Sequence, residues 1–248
     1  MIGRARFDVS HRSFLVNERC ASFVAFATLR AMSSSLSVLQ LLSVALLRVV
    51  AGVVDGALLL TRPRLLRWWW ATKTAPSAYA LSAFEQRLLT SRHCLVDDDL
   101  VYGEAFVSSA WWLLKRHGAG VGSVVVDLGC GRGAVLIAAR RCGAEARGVD
   151  VVEGHLLLQH AGDNGVVVQV GDARAADVGD VSHVWLSWAT WSAPVRAALT
   201  KRLRSLPGGA IVMGVVHGID DDDEFEIVAT TKAWCSWGRA DIVVSRRR

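Results

Sequence analysis

Short runs of β-branched residues alternate with helical patterns through the C-terminal two thirds of this 248-residue chain, and no other feature of the sequence constrains the fold as much. Helical patterns at 132–142, 153–161 and 193–205 lie between most of these runs. The strand-like runs are Val124–Val126, Ala146–Val149, Val166–Val170, Val181–Leu186 and Ala210–Val216. Repeated strand–helix–strand units predict an α/β fold with a parallel, doubly wound sheet.

The C-terminal end departs from this alternation. Glu226–Trp234 and Arg239–Ser245 have the pattern of two strands joined by a short turn at Ser236–Gly238. Strands joined by a short turn pair antiparallel, so an antiparallel hairpin is expected at one end of an otherwise parallel sheet. Only the short segment Gly218–Glu224 separates the fifth strand from this hairpin.

Two segments precede the α/β region, which we place at 76–248. Residues 1–35 contain five arginines against two acidic residues, with several serines and interspersed apolar residues. This composition resembles a mitochondrial presequence, and a basic tail is the alternative. The expected location is therefore mitochondrial and associated with the inner membrane, with the cytoplasm as the alternative.

Residues 36–75 form an apolar segment. Residues 36–60 are long enough to cross a bilayer, which takes about 20 mostly apolar residues, and arginines and three consecutive tryptophans follow, as in an interfacial anchor. Arg48 and Asp55 lie on roughly the same face of such a helix, where each is costly in hydrocarbon. The alternative is a helical hairpin, broken at Gly52 or Gly56, that packs on the domain or on a partner protein.

The net charge of +5 is distributed unevenly along the chain. Residues 1–96 contain 12 basic and 4 acidic residues, whereas residues 97–248 contain 16 basic and 19 acidic residues. The α/β region therefore has a net charge of −3, which disfavours nucleic acid as a partner. The five cysteines form no CxxC pair and no cluster with histidine at metal-ligand spacing, so neither a metal site nor a disulfide scaffold is expected.

The first strand leads directly into Asp-Leu-Gly-Cys-Gly-Arg-Gly, residues 127–133. Glycines at this position let the backbone approach a ligand, and their spacing also fits a dinucleotide-binding loop. Asp127 decides between the ligands, because its carboxylate would repel a pyrophosphate but would attract a cation. S-adenosylmethionine has an ammonium and a sulfonium and no phosphate, so it is the expected cofactor.

Acidic residues also end the next two strands. Asp150 follows the second strand, where a carboxylate can accept hydrogen bonds from both ribose hydroxyls. Asp172 and Ala173 follow the third strand, at the depth where an adenine would lie. The three acidic strand ends together indicate a cofactor pocket at the carboxyl edge of the sheet.

These residues resemble the class I S-adenosylmethionine-dependent methyltransferases over about 121–248. The resemblance implies a seven-stranded sheet in the order 3-2-1-4-5-7-6 with strand 7 antiparallel. It also implies that the methionine end of the cofactor binds at Asp127, Gly129, Cys130 and Gly131. The ribose would then bind at Asp150, and the adenine at Asp172 and Ala173.

A second resemblance lies upstream, where Val101–Glu104 reads VYGE. It is similar to the loop before motif I in the non-SET, telomeric-silencing type of histone lysine methyltransferase, which implies that Tyr102 and Glu104 cover the methionine portion of the cofactor. The overall plan also resembles the small membrane-anchored mitochondrial lysine methyltransferases. Both resemblances imply a protein substrate bearing lysine.

Ser187 and Trp188 follow the fourth strand and are expected to position the substrate. Trp188 and Trp191 fall where ligands bind in open α/β sheets, and an aromatic wall there can hold a cation. The acidic runs Asp97–Asp99 and Asp220–Glu224 are expected to be solvated loops at the pocket rim. One alternative function is a methyltransferase-like assembly factor or subunit of a mitochondrial complex; a second is an RNA or small-molecule methyltransferase.

Overall fold

The computed structural model describes residues 38–74, 81–101, 103–153, 165–219 and 222–248, and Ser43–Arg248 forms one compact unit. Three predicted features lie outside the described residues: the basic segment 1–35, the helix at 153–161 and the side chain of Tyr102.

Six α-helices are described. They are α1 (Val38–Leu59), α2 (Pro63–Thr74), α3 (Ala83–His93), α4 (Val107–Arg116), α5 (Ala134–Cys142) and α6 (Ala193–Leu203). Two short 3₁₀ helices, Asp97–Leu100 and Ala173–Ala175, lie on the loops beside the carboxyl edge of the sheet. The predicted helices at 132–142 and 193–205 therefore lie where the sequence pattern placed them.

The sheet has seven strands in the order β3-β2-β1-β4-β5-β7-β6. The strands are β1 (Val124–Leu128), β2 (Glu145–Asp150), β3 (Val166–Val170), β4 (His183–Leu186), β5 (Ile211–Val215), β6 (Phe225–Cys235) and β7 (Gly238–Arg247). The first five are parallel, and β7 runs antiparallel to both β5 and β6. The predicted fold class, strand order and terminal hairpin are confirmed.

The sheet buries both of its faces. Successive side chains of a strand point to opposite faces, so Val125 and Val126 of β1 contribute to two different hydrophobic clusters. The Val125 cluster contains residues of α4 and α5 together with Leu59 and Trp69 from α1 and α2. The Val126 cluster contains residues of α6. The apolar N-terminal segment thus supplies part of the core on one face of the sheet.

Helices α1 and α2 form a hairpin. Helix α1 continues through Gly52 and Gly56, and the break comes only after Leu59, so the alternative interpretation, a hairpin broken at one of these glycines, places the break wrongly. The ring of Trp69 in α2 lies beside Gly56, where a Cβ would be in ordinary van der Waals contact with it at 3.7 Å. Among the described residues, one stretch, Leu42–Leu59, is long and apolar enough to cross a membrane, and most of it is exposed.

Candidate functional site

A cleft of about 900 Å³, including its open mouth, lies at the carboxyl edge of the sheet. The ends of β1, β2, β3 and β4 form its floor, and the loop 95–105 forms a wall. Nine of the predicted site residues line it: Glu104, Asp127, Gly129, Cys130, Gly131, Asp150, Asp172, Ala173 and Ser187. The structure therefore brings residues from four separate strand ends into one cavity.

The glycine loop turns sharply between β1 and α5. Gly129, Gly131 and Gly133 have φ values of 82°, 50° and 88°, in the left-handed region that favours glycine. The N–H groups of Gly129 and Cys130 both donate to the carbonyl oxygen of Val149, at 2.8 and 3.0 Å. These bonds hold the loop against the end of β2, so its backbone borders the cleft.

Asp150 fixes the other side of this loop. Its Oδ2 accepts a hydrogen bond from the Gly131 N–H at 2.8 Å, and its Oδ1 accepts one from the Val152 N–H at 2.8 Å. Asp150 thus holds the shape of the loop, and it lines the cleft.

Asp127 lies at the end of β1 and is 2% exposed. Its Oδ1 is buried and has no hydrogen-bond partner in the part of the chain that the structure describes. Burial, followed by repulsion from Asp150, raises the pKa of the Asp127 carboxyl well above its ordinary value. A buried carboxylate without partners favours a ligand that brings a positive charge, because the cation replaces the interactions with water that burial has removed.

Glu104 lies across the cleft on the loop before α4. Its backbone pairs with Ser236 in the turn between β6 and β7: the Ser236 N–H donates to the Glu104 carbonyl at 2.8 Å. The same turn also approaches Gly103, since a Cβ on Gly103 would lie 2.2 Å from the ring of Trp237. The Glu104 carboxylate accepts a hydrogen bond from Lys73 Nζ of α2 at 2.7 Å.

Asp172 and Ala173 line the far end of the cleft. Arg174 donates to both oxygens of the Asp172 carboxylate, and His93 Nδ1 lies 3.6 Å from one of them. Burial opposes ionisation of Asp172, but the hydrogen bonds from Arg174 outweigh it and lower the pKa. Asp172 therefore stays charged and is already paired, unlike Asp127.

The structure separates the two residues expected to position a substrate. Ser187 lines the cleft and accepts a hydrogen bond from Trp185 Nε1 at 3.3 Å. Trp188 does not line it: the ring is 1% exposed in the Val126 cluster, and its Nε1 donates to the His217 carbonyl at 2.8 Å. Its assignment to substrate positioning is corrected, because a fully engaged core side chain cannot contact a ligand.

Trp191, rather than Trp188, lines the cleft after β4. Its ring lies against the glycine loop, since a Cβ on Gly129 would be 2.9 Å from Cζ2 of the indole. The bulk of Trp191 therefore requires a glycine at 129 even apart from its backbone angle. Cys130, beside it, has a pKa raised well above the ordinary thiol value by burial and then by Asp127 and Asp150, so it remains a neutral thiol.

Several residues of the site were missed by the sequence analysis. Asp99 was expected to be solvated, but it is buried and accepts hydrogen bonds from the Ser192 N–H at 2.6 Å and from Ser192 Oγ at 3.2 Å. This fixes the loop that carries Trp191. Arg132 of the glycine loop donates to the Thr72 carbonyl of α2 at 2.9 Å. No local pattern could have revealed contacts between segments so far apart.

The cleft is thus lined by carboxylates, including those of Glu104, Asp127, Asp150 and Asp172. Its remaining wall is largely apolar, with Leu95, Leu100, Val101 and Val195 beside Trp191. Within the described ranges, no group of three or more His, Cys, Asp or Glu side chains is placed to hold a metal ion. Asp127 and Asp150 at the glycine loop disfavour a phosphate, and the arrangement suits a long ligand that is positively charged at one end.

No protein-family model and no curated protein sequence matches the chain. Solved structures do match its fold. The magnesium protoporphyrin IX methyltransferase of Synechocystis PCC 6803 with bound SAH has a TM-score of 0.50 at 16% identity, covering 73% of this chain and 94% of that one.

Two further matches cover less of the chain. The geranyl diphosphate C-methyltransferase of Streptomyces coelicolor A3(2), in complex with S-adenosyl-L-homocysteine, has a TM-score of 0.47 at 14% identity, covering 57% of this chain and 75% of that one. TrmN from Thermus thermophilus has a TM-score of 0.45 at 18% identity, covering 56% and 48%. At 16% identity and a TM-score of 0.50, the likeness to the magnesium protoporphyrin IX methyltransferase shows the fold alone.

Proposed function

We propose that this chain is an S-adenosylmethionine-dependent methyltransferase of class I. The observation that carries the proposal is the buried, unpaired Asp127 carboxylate beside the glycine loop, facing a cleft that Glu104 borders from the other wall. The fold, which it shares with methyltransferases of known structure, supports the same assignment.

The residues of the cleft match the three parts of this cofactor, which are the methionine end, the ribose and the adenine. Asp127, Glu104 and the backbone of Gly129, Cys130 and Gly131 would hold the methionine end. The carboxylate of Asp150 would accept from the ribose hydroxyls. Asp172 and Ala173 would border the adenine. Tyr102, which lies outside the described residues, is proposed to cover the methionine portion.

When bound, S-adenosylmethionine supplies a methyl group on a positively charged sulfur. The chain's own part is orientation, because an in-line transfer needs donor and acceptor held a few ångströms apart and aligned. Ser187 and Trp191 line the cleft beside the glycine loop and would place the acceptor. Asp99 positions Trp191 through its hydrogen bonds to Ser192.

A lysine side chain in a protein is the acceptor that we favour. Its amine has an ordinary pKa of about 10.4 and must lose its proton before it can attack. The apolar walls formed by Leu95, Leu100 and Val195 would disfavour the charged ammonium and so promote that loss. Exposed Asp97 and Asp98 at the rim complement a basic peptide.

A small apolar acceptor is the second candidate, favoured by the same apolar wall and by the exposed apolar helix α1. An RNA acceptor is less well supported, because residues 97–248 have a net charge of −3. An inactive assembly factor would not need the unpaired Asp127 carboxylate, which destabilises an empty fold.

Binding and transfer can be tested in sequence. Calorimetry should show binding of S-adenosylmethionine and of its demethylated product, and preference for a nicotinamide dinucleotide would contradict the proposal. Labelled methyl transfer into a mitochondrial extract, separated into protein, RNA and small molecules, then identifies the acceptor. Label in lysine of a protein is expected; label in the lipid-soluble fraction would favour the second candidate.

We also propose a mitochondrial, membrane-associated location, from the basic residues 1–35 and the apolar residues 36–60. Imaging of the tagged full-length chain against one that lacks 1–35 tests it. Diffuse cytoplasmic signal from the full-length chain would contradict this location.

A further inference from the structure

The two charged residues of α1 both contact the α/β domain. Arg48 Nε donates to the carbonyl of Ser236 in the turn between β6 and β7, at 3.0 Å. Asp55 is 0% exposed, and its two carboxylate oxygens accept from the N–H groups of Val107 and Ser108 at the start of α4, at 3.2 and 2.8 Å. These contacts fix one face of α1 along the surface of the domain.

The opposite face of α1 is apolar and exposed. Large hydrophobic residues recur there at helical spacing and continue past the end of the helix, each between 48% and 68% exposed: Leu46, Val49, Val50, Val53, Val54 and Leu60. A contiguous apolar stripe of this length on a protein surface marks an interaction site. We call it the α1 stripe.

Cationic and aromatic residues border the α1 stripe on the α2 side. Arg62, Arg64 and Arg67 are exposed, and Trp70 is 61% exposed. No acidic residue occurs between Asp55 and Glu85 in the sequence. Arginine and tryptophan beside an apolar face are the residues that bind at the headgroup level of a bilayer, and the unbalanced positive charge complements anionic lipid.

Two further tryptophan–arginine pairs lie on the surface of the α/β domain. The guanidinium of Arg116 lies 5.3 Å from the ring centre of Trp112, and that of Arg239 lies 5.9 Å from the ring centre of Trp234. Both rings are more than 40% exposed. The Trp234 N–H donates to Ser109, next to the residues that Asp55 caps, so this pair lies near the docking site of α1.

From these contacts we infer that the α1 stripe lies flat on an anionic lipid bilayer, with the α1 axis parallel to the membrane and its other face docked on the domain. Helix α1 does not span the membrane. Spanning would carry Arg48 and Asp55 into hydrocarbon and would leave the first N–H groups of α4 without their acceptor. The methyltransferase proposal is independent of this inference.

Vesicle sedimentation of the full-length chain tests the lipid surface. Vesicles of equal parts phosphatidylcholine and phosphatidylglycerol should bind the protein, and phosphatidylcholine alone should bind it at least tenfold less. The double variant Val49→Asn/Val53→Asn should reduce binding to the mixed vesicles at least tenfold. Val121→Asn, the same change at a residue 93% exposed outside the stripe, is the matched control and should bind like the wild type.

Protease protection separates lying on a membrane from spanning it. With a cleavable tag at the N-terminus, external protease should remove the tag from every vesicle-bound molecule whose α/β domain is accessible. A protected tag on molecules with an accessible domain would overturn the inference in favour of a spanning helix. Equal binding of wild type and double variant to the mixed vesicles would also overturn it.

Vesicle binding and light scattering also distinguish other binding partners of the α1 stripe. If the wild type fails to bind the mixed vesicles and light scattering shows a dimer that the double variant abolishes, a second copy covers the stripe and the inference is wrong. A monomer that binds neither vesicle type points instead to a protein partner or to residues 1–37, and it overturns the inference equally.

Discussion

Two buried aspartates of this chain are used in opposite ways. Asp55 in α1 and Asp127 at the end of β1 are 0% and 2% exposed. Both oxygens of Asp55 accept backbone hydrogen bonds from α4, whereas Oδ1 of Asp127 has no partner among the described residues. The Asp55 carboxylate has its hydrogen-bond partners within the fold and stabilises it. The Asp127 carboxylate gains a partner only when a cation binds.

The largest effect on stability is expected from substitution of Asp55. In Asp55→Leu, the N–H groups of Val107 and Ser108 lose their acceptors, and we expect the free energy of unfolding to fall by about 3 kcal/mol. For a chain of this size that lowers the melting temperature by roughly 6–12 °C. Thermal unfolding followed by circular dichroism measures it.

Asp55→Asn is the matched control, since one acceptor oxygen remains and the loss should be about half as large. Unchanged stability in Asp55→Leu would mean that α1 is not docked in solution.

The next effect concerns Asp127. Asp127→Asn removes the charge that would face the cofactor ammonium, and we expect the affinity for S-adenosylmethionine to fall by about 1.5–3 kcal/mol, roughly 10- to 100-fold. Stability without ligand should not fall, because the amide fits the same space and removes a carboxyl group whose ionisation is disfavoured by burial and by Asp150. Calorimetry and thermal unfolding on one preparation measure both. A loss of stability without a loss of affinity would make Asp127 structural like Asp55.

A pH dependence follows from the raised pKa of Asp127. Because the folded-state pKa lies above the unfolded value, the folded protein without ligand holds this proton to higher pH, and the group's contribution to stability falls as pH rises between the two values. A cationic cofactor binds the ionised form, so its affinity should fall as pH is lowered through the raised pKa of Asp127. Binding should release a proton, measured as a dependence of the calorimetric heat on the buffer. Asp127→Asn should abolish both effects.

The smallest effect is expected at the ion pair between Glu104 and Lys73. An exposed or half-exposed pair contributes about 0–1 kcal/mol, so neither Glu104→Gln nor Lys73→Met should shift the melting temperature by more than about 3 °C. Their effects on S-adenosylmethionine should differ in sign. Glu104→Gln should weaken binding several-fold, whereas Lys73→Met should strengthen it about twofold, because a competing cation is removed. Weakening of binding in both variants would show that the pair acts as one structural unit.

The elements that could be predicted from sequence are those fixed by local pattern. Val124–Val126 followed by a glycine-rich turn indicates a strand, a loop and a helix without reference to the rest of the chain. The resemblance to class I methyltransferases implied the strand order, which the sheet has. Asp127, Asp150 and Asp172 meet in one cleft because the carboxyl ends of parallel strands share one edge.

The errors concern residues whose role depends on distant contacts. By position in the sequence, Trp188 and Trp191 could equally line the cleft. Because the chain turns at Ala189 and Thr190, the ring of Trp188 packs in the core and the ring of Trp191 lines the cleft. Asp99 belongs to an acidic run typical of solvated loops, and its burial depends on Ser192, 93 residues away. Arg48 and Asp55 left two interpretations of 36–60 open for the same reason.

The separation of Arg48 from its acceptor is 188 residues. Ribosomes add about 5–20 residues per second, so α1 exists for roughly 10–40 s before Ser236 has been made. Throughout that interval the face of the helix that carries Arg48 lacks the turn on which it docks. We therefore expect this apolar helix to meet a chaperone or a membrane before its contact with the turn between β6 and β7 can form.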